Sequence, residues 1–220
     1  MMITKLLIPS ISIIIFCAGC ASHAPVLPQN PKSGVANMGF QFSVENVIPV
    51  IWWKYGINDY TEFGFKMGMP ISGAGVDISR VLMKKDYRWD VLNLAYNYAP
   101  NPSFDLSYYM FKAKKSEKVK IGEFPLKTKW RGFRCMIIPD GTYKEIEDNQ
   151  SIRFGFLFGR RLGSRWGFET GYFHDFKGGF NPANEKYPHK ANKWPTQFSR
   201  GAGVSMQLFF YLPSNQNNKK

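Results

Sequence analysis

The chain has 220 residues, of which 44% are hydrophobic and 16% aromatic. This length suits a single domain, and the aromatic content excludes a wholly disordered chain. The formal net charge is +13, so nucleic acid has to be considered as a partner. The body of the chain holds no apolar run of about 18 residues, and we therefore expect no membrane-spanning helix there.

The first twenty residues have the features of an export signal. Lys5 precedes an apolar stretch, 6–16, that is too short to cross a bilayer as a mature helix. Cys17-Ala18-Gly19-Cys20 follows directly. The segment resembles the bacterial lipoprotein signal, although that family usually has Leu where Cys17 stands. The alternative is an ordinary signal peptide cut elsewhere, or an apolar start that is not cleaved.

The lipoprotein resemblance implies cleavage before Cys20 and acylation of its thiol and its amine. Residue 21 is Ala, not the aspartate that retains many such lipoproteins in the inner membrane. The resemblance therefore implies delivery to the outer membrane, with 1–19 as signal peptide and 20–36 as a lipidated flexible tether. Export also argues against nucleic acid as a partner. The phosphates of lipid headgroups are then the expected partners of the positive charge.

Cysteine and histidine usage offers no disulfide and no metal site. If Cys17 is removed and Cys20 is acylated, Cys135 is the only free thiol, so no internal disulfide is expected. None of the three histidines has a cysteine or histidine neighbour at ligand spacing; they are His23, His174 and His189. We expect neither a metal nor another cofactor.

From residue 37 onward, apolar and polar residues alternate. Phe154 and Phe156, for example, interleave with Arg153 and Gly155. Successive side chains of a strand point to opposite faces, so each segment has one apolar face and one polar or glycine-rich face. The pattern predicts an all-β domain over 37–212, with strands near 37–46, 49–57, 60–69, 73–84, 88–98, 103–113, 119–138, 150–161, 165–176 and 198–212.

The glycine-rich face decides which side is the interior. Glycine weakens an exposed strand, but it suits the crowded inside of a small barrel. Strands of about 10 residues with apolar residues outside and polar residues inside are typical of transmembrane barrels. We predict a closed antiparallel up-and-down transmembrane β-barrel of about ten strands. Pro125 and the cations from 127 to 131 interrupt 119–138, and eight strands are expected if that region is a loop.

Charged residues of the inner face are expected to meet in the lumen. The predicted charge network consists of Glu62, Lys66, Asp77, Arg153 and Glu169. Charge pairs that fill a narrow lumen are typical of small barrels. The alternative is a proton or ion pathway through the same residues.

Connection lengths predict two different rims. Tight turns are expected at 58–59, 85–87, 114–118 and 162–164, and longer loops at 99–102, 139–149 and 177–197. Short turns are typical of the periplasmic rim, which would also hold both chain ends and a disordered tail, 213–220. The loops 139–149 and 177–197 are candidate protein contact surfaces.

Basic residues gather at the short-turn rim. They are Lys84, Lys85, Arg88, Lys112, Lys114, Lys115, Lys118, Arg160, Arg161 and Arg165. A ring of cations beside lipid phosphates and ordinary solvated turn charge are the two interpretations.

Residues 54–59, 61–70 and 73–78 carry a recognisable pattern. A tyrosine-glycine turn is followed by a glycine-alternating strand, a proline, and a glycine-rich strand with an aspartate. This order resembles a recurring pattern of bacterial outer-membrane barrels, which implies a location and a fold but no activity.

The segment 172–181 is the best enzymatic candidate. It resembles the lipid A deacylase barrels, in which a catalytic serine stands two positions after a histidine. Here the residue two positions after His174 is Phe176, so a general base would have no hydroxyl to activate. We therefore expect no catalytic site.

Taken together, these patterns predict a monomeric, lipid-anchored outer-membrane barrel. Its expected role is structural or in surface interaction, with a narrow plugged lumen. The alternative is a soluble, lipid-tethered periplasmic barrel or sandwich that binds an apolar ligand, with the Phe and Met faces turned inward.

Overall fold

The computed structural model describes residues 30–43, 49–68, 74–98, 102–114, 127–139, 151–163, 165–176 and 202–212. Ten strands form one closed barrel in which each strand pairs antiparallel with its sequence neighbour and β1 pairs with β10. The strands are β1 Ala36–Ser43, β2 Val50–Asn58, β3 Thr61–Gly68, β4 Gly75–Lys85, β5 Arg88–Asn97, β6 Ser103–Ala113, β7 Thr128–Ile138, β8 Ser151–Arg161, β9 Trp166–Asp175 and β10 Ala202–Tyr211. The predicted up-and-down barrel of ten strands is confirmed.

The main difference from the predicted strands concerns β7. This strand begins at Thr128 and not near 119, and its first residue pairs with Ala113 at the end of β6. The turn predicted at 114–118 would place residue 119 beside the end of β6, whereas the Lys114 amide bonds to the Lys127 carbonyl there; residues 115–126 lie outside the described part of the chain. The cations from 127 to 131 do not interrupt the strand. Lys127 directly precedes it, and Lys129 and Arg131 point outward and alternate with inward Thr128 and Trp130.

The apolar faces point outward. Phe63, Phe154 and Leu208 are 39%, 50% and 36% exposed, whereas Glu62 and Arg153 are 3% and 2% exposed. A sandwich or barrel that buried its Phe and Met faces would show the opposite order. The expectation that the Phe and Met faces turn inward is therefore contradicted.

Aromatic rings fill the lumen on the side of the chain ends and of the turns. Trp89 stacks on Phe111 at 5.2 Å between ring centroids, Phe111 lies 5.7 Å from Trp130, and Trp130 lies 5.9 Å from Phe209. The last contact crosses from β7 to β10, which are not neighbours in the sheet. We call Trp89, Phe111, Trp130 and Phe209 the aromatic plug.

The plug depends on an inward glycine. The indole of Trp130 occupies the space into which a Cβ of Gly159 would project. Any larger residue there would displace the ring, so the glycine provides the room that the crossing requires.

Residues 30–35 pack against the turn end of β2. The Gly34 amide donates to the Gly56 carbonyl at 2.9 Å, and the Ser33 amide donates to Asp59 Oδ1 at 3.1 Å. Asn30 is 1% exposed, and the Lys32 carbonyl lies where a Cβ of Gly56 would be. The end of the predicted tether therefore lies on the barrel, and residues 20–29 lie outside the described part of the chain.

Candidate functional site: the closed lumen

Among the described residues, the inner wall carries ten charged side chains, each no more than 4% exposed. Five are cations and five are anions: Lys54, Lys66, Arg134, Arg153, Arg161, Glu62, Asp77, Asp105, Glu169 and Asp175. The described part of the interior is therefore neutral by formal charge. The positive excess of the whole chain must lie elsewhere.

Lys54 is the centre of one cluster. Its Nζ donates a short hydrogen bond to Asp77 Oδ2 and lies 3.8 Å from Glu62 Oε1. Asn93 Nδ2 donates to the same Asp77 oxygen at 2.7 Å and to Ser79 Oγ at 2.9 Å. The cluster joins β2, β3, β4 and β5, and one ammonium lies between two neighbouring carboxyl groups.

A second cluster surrounds Asp105 on β6. Its Oδ2 accepts from Arg134 Nη2 at 2.5 Å and from Asn97 Nδ2 at 2.9 Å. Asn97 Nδ2 also donates to Ser103 Oγ at 3.0 Å. The Arg134 guanidinium lies 5.5 Å from the centroid of the Phe173 ring. This cluster joins β5, β6 and β7, and the cation–π contact extends it to β9.

Two smaller groups complete the described polar lumen. Asp175 accepts from Arg153 Nε at 3.2 Å and from Ser151 Oγ. Glu169 accepts from Trp130 Nε1 at 2.7 Å and from Gln207 Nε2 at 2.9 Å. Glu169 therefore connects the polar interior to the aromatic plug.

All five residues of the predicted charge network lie inside the barrel. Glu62 and Asp77 meet through Lys54, Arg153 pairs with Asp175, and Glu169 accepts a hydrogen bond from Trp130. Lys66 is also buried, at 1% exposure.

Sequence reasoning missed several inward charges. They are Lys54, Asp105, Arg134, Arg161 and Asp175. Lys54 follows two adjacent tryptophans, which obscure the alternation, and Arg134 lies in the strand with the least certain boundary. The period-two register of each strand, counted from a known inward residue, would have found all five.

The enzymatic candidate is on the wrong face for lumen chemistry. His174 points outward and packs edge-on against Phe176, with 4.8 Å between ring centroids. Phe176 stands where the resemblance requires a serine, and it is 66% exposed. Among the described residues, no group of three His, Cys, Asp or Glu side chains could hold a metal ion.

The outer wall has an apolar groove of about 560 Å³. Its lining includes Phe63, Ile78, Leu94, Leu106 and Cys135. Cys135 is a free cysteine of intermediate exposure. These five residues occupy outward positions, so the groove continues the apolar outer surface. The inward residues Asp77, Ala95 and Asp105 also line it.

Five features predicted from the sequence lie outside the described residues. These are the signal peptide 1–19, Cys20, almost all of the 139–149 loop, the 177–197 loop and the tail 213–220. No helix among the residues that the structure describes is long and apolar enough to cross a membrane.

No protein-family model matches the chain, and no curated protein matches it.

Proposed function

We propose that the protein is a lipid-anchored β-barrel of the bacterial outer membrane, anchored at Cys20, with a closed lumen and no catalytic role. Its function is structural or lies in contacts made at the surface. The observation that carries this proposal is the reversal of the usual burial pattern: the described charges of the inner wall are buried, and large apolar side chains cover the outer wall.

The extent of the apolar outer wall supports a lipid environment. Leu94, Phe104, Phe156 and Phe158 are each more than half exposed. Soluble monomers rarely expose contiguous apolar patches beyond a few hundred Å². The outward residues of β8 are apolar from Ile152 to Phe158, which is about 20 Å along the strand. Strands of membrane barrels tilt by about 40°, so this run covers about 15 Å of the apolar band, about 25 Å tall, that such barrels present to lipid.

The position of residues 30–35 supports anchoring on the turn side. The Lys32 carbonyl lies beside Gly56, near the end of β2 and hence at the turn end of the barrel. The ten residues from Cys20 to Asn30 can extend over about 35 Å at most. An acyl chain on Cys20 can therefore insert into the leaflet that surrounds this rim, which the sequence predicts to be periplasmic.

The filled lumen supports a structural role and argues against transport. The aromatic plug occupies the turn half of the interior, and the described inward charges have partners. Solvent passage would require either the rings or the charge clusters to move apart.

The first test is migration of unboiled and boiled protein on a gel, after extraction with and without detergent. We expect the protein to require detergent and to migrate differently when unboiled, because a folded membrane barrel resists denaturation by dodecyl sulfate. A monomer that stays in solution without detergent and migrates identically in both samples would overturn the barrel's membrane role.

The anchor is tested separately with Cys20→Ser. This variant should lose incorporation of labelled palmitate yet remain in the membrane fraction, because the barrel itself holds it there. Cys135→Ser is the matched control and should keep the label. Label retained by Cys20→Ser would contradict the proposed attachment site.

Protease treatment of intact cells tests the surface role. Cleavage mapped to 139–149 and 177–197 is the expected result, since these loops lie at the rim opposite the chain ends. Cleavage confined to the turns of the other rim would reverse the proposed orientation.

A further inference from the structure

Five cations form a single row on the outer wall. Direct cross-strand pairing joins Lys85 to Arg88, Arg88 to Lys112, Lys112 to Lys129, and Lys129 to Arg160. All five residues are exposed. Adjacent strands lie about 4.8 Å apart, so the row extends over about 19 Å across β4 to β8. We call these five residues the cation row.

The cation row differs from the ring of cations that was one interpretation of the basic residues at the short-turn rim. Arg161 points into the lumen, where its Nε donates to the Gly163 carbonyl at 2.8 Å. Lys84 is half-buried, and Lys115 and Lys118 lie outside the described residues. On β9, β10, β1, β2 and β3, none of the outward residues whose exposure the structure describes is a lysine or arginine. The described outward cations of the strands therefore lie on the β4–β8 side of the wall, and the exposed cations Lys32 and Arg165 lie outside the strands.

A row of this kind costs folding energy. Like charges directly opposite each other on neighbouring strands are destabilising. None of the ion pairs observed among the described residues involves the row. Two described carboxylates adjoin it along the chain: Asp86, in the turn between Lys85 and Arg88, and Asp90 on β5, which accepts a hydrogen bond from the Tyr108 hydroxyl at 2.7 Å. Two anions leave most of the charge of five cations unbalanced. An anion from outside the chain would relieve the repulsion.

The row also marks the boundary of the apolar wall. Two residues farther from the turn rim, Met110 and Phe158 flank Arg131. The next position along these strands is fully aromatic, with Tyr108, Phe133 and Phe156 side by side. A soluble anion could bind at any exposed height, whereas phosphates joined to acyl chains are found where cations adjoin an apolar band.

We propose that the cation row is a binding site for the phosphate groups of anionic membrane lipids, on the β4–β8 side of the barrel alone. This inference rests on the proposed function, because it needs the apolar wall to lie in lipid. Lipids with a zwitterionic headgroup bring their own cation to the site and are expected to bind less well.

The test measures which lipids the folded protein retains. The full chain is purified from membranes in a nonionic detergent and incubated with equal amounts of phosphatidylglycerol and phosphatidylcholine, and the bound lipids are quantified after washing. The row variant is Lys112→Gln with Lys129→Gln. The control is Lys32→Gln with Arg165→Gln, which removes the same charge from exposed positions outside the row.

The wild type should retain phosphatidylglycerol preferentially. Each cation near an anionic surface contributes about a fivefold preference, so the row variant should lose about 25-fold. The control variant should keep the wild-type preference for phosphatidylglycerol. Half-molar salt should weaken this preference in the wild type and in the control, because salt screens the charges.

Three results would overturn the inference. One is equal retention of the two lipids by the wild type, and another is an equal loss in both variants, which would reflect net charge alone. The third is displacement of phosphatidylglycerol by glycerol phosphate, which would make a soluble phosphate the ligand. Gel migration of the same samples distinguishes this failure from a failure of the proposed function. If the protein needs detergent and is heat-modifiable but shows no lipid preference, the inference about the cation row is wrong and the proposed membrane barrel stands.

Discussion

The inner and outer walls of the barrel use lysine and arginine in opposite ways. Inside, Lys54, Arg134 and Arg153 are each bonded to a carboxylate on another strand. Outside, the cation row has no ion pair within the described chain. A buried charge must be paired within the fold because its desolvation is costly, whereas an exposed charge can be left for an external partner. Because successive side chains of a strand point to opposite walls, two neighbouring residues of one strand follow different rules.

The largest effect is expected from Trp130→Ala on the inner wall. The change removes the central ring of the aromatic plug and a hydrogen-bond donor to Glu169. Loss of a buried tryptophan costs about 4 kcal/mol of the free energy of unfolding, and we also expect a measurable conductance. Urea titration in lipid vesicles and planar-bilayer recording measure the two quantities.

Trp166→Ala is the control for this substitution, because Trp166 is outward and 40% exposed. It should leave the lumen closed. Equal conductance in the two variants would show that the aromatic plug is not what closes the barrel.

Arg153→Leu should lower the free energy of unfolding by about 3 kcal/mol, because it leaves the Asp175 carboxylate buried with one donor fewer. Conductance should not change, since the aromatic plug is intact. The double variant with Asp175→Leu should recover most of the stability. A change in conductance with unchanged stability would instead favour an ion pathway through these residues.

Phe156→Arg tests the outer wall at mid-strand. An arginine facing the middle of a bilayer costs about 2–4 kcal/mol in membrane barrels, so refolding into vesicles should be impaired by about that amount. Phe156→Leu, which keeps the site apolar, should be nearly neutral. If the arginine variant is as stable as the wild type, the outer wall does not lie in lipid.

The smallest expected effect is an increase, and not a decrease, in the free energy of unfolding. Replacing Lys112 and Lys129 by Gln removes direct like-charge pairs from the outer wall, which should raise the free energy of unfolding in zwitterionic vesicles by about 0.5–1 kcal/mol. Urea titration in anionic vesicles should show no gain, because lipid phosphates already offset the repulsion. A loss of stability in both lipids would mean that these lysines are paired within the chain.

The sequence predicted most of the fold because period-two alternation is a local property. It placed nine of the strands closely and showed which face of each strand is apolar. It failed at β7, where lysines on the outer face looked like an interruption. Outward cations are uncommon in the apolar band of a barrel but acceptable at its edge, and only the pairing of Lys112 with Lys129 shows that β7 meets that edge.

The candidate sites were less predictable than the strands. The pattern of one strand cannot show which strand supplies the partner of an inward charge. Asp77 accepts from Lys54 two strands away, and Trp130 reaches Phe209 across the lumen. These contacts depend on barrel closure and on the register of several hairpins together, which no single segment encodes.

The sequence by itself determined the alternation, the apolar outer faces and the glycines that make room inside, because these follow from the geometry of a single strand. The tertiary structure decided the number of strands, the partners of the buried charges and the alignment of five cations on one side. Each of these depends on residues that are distant in the chain and that become neighbours only when β1 pairs with β10 and every hairpin takes its register.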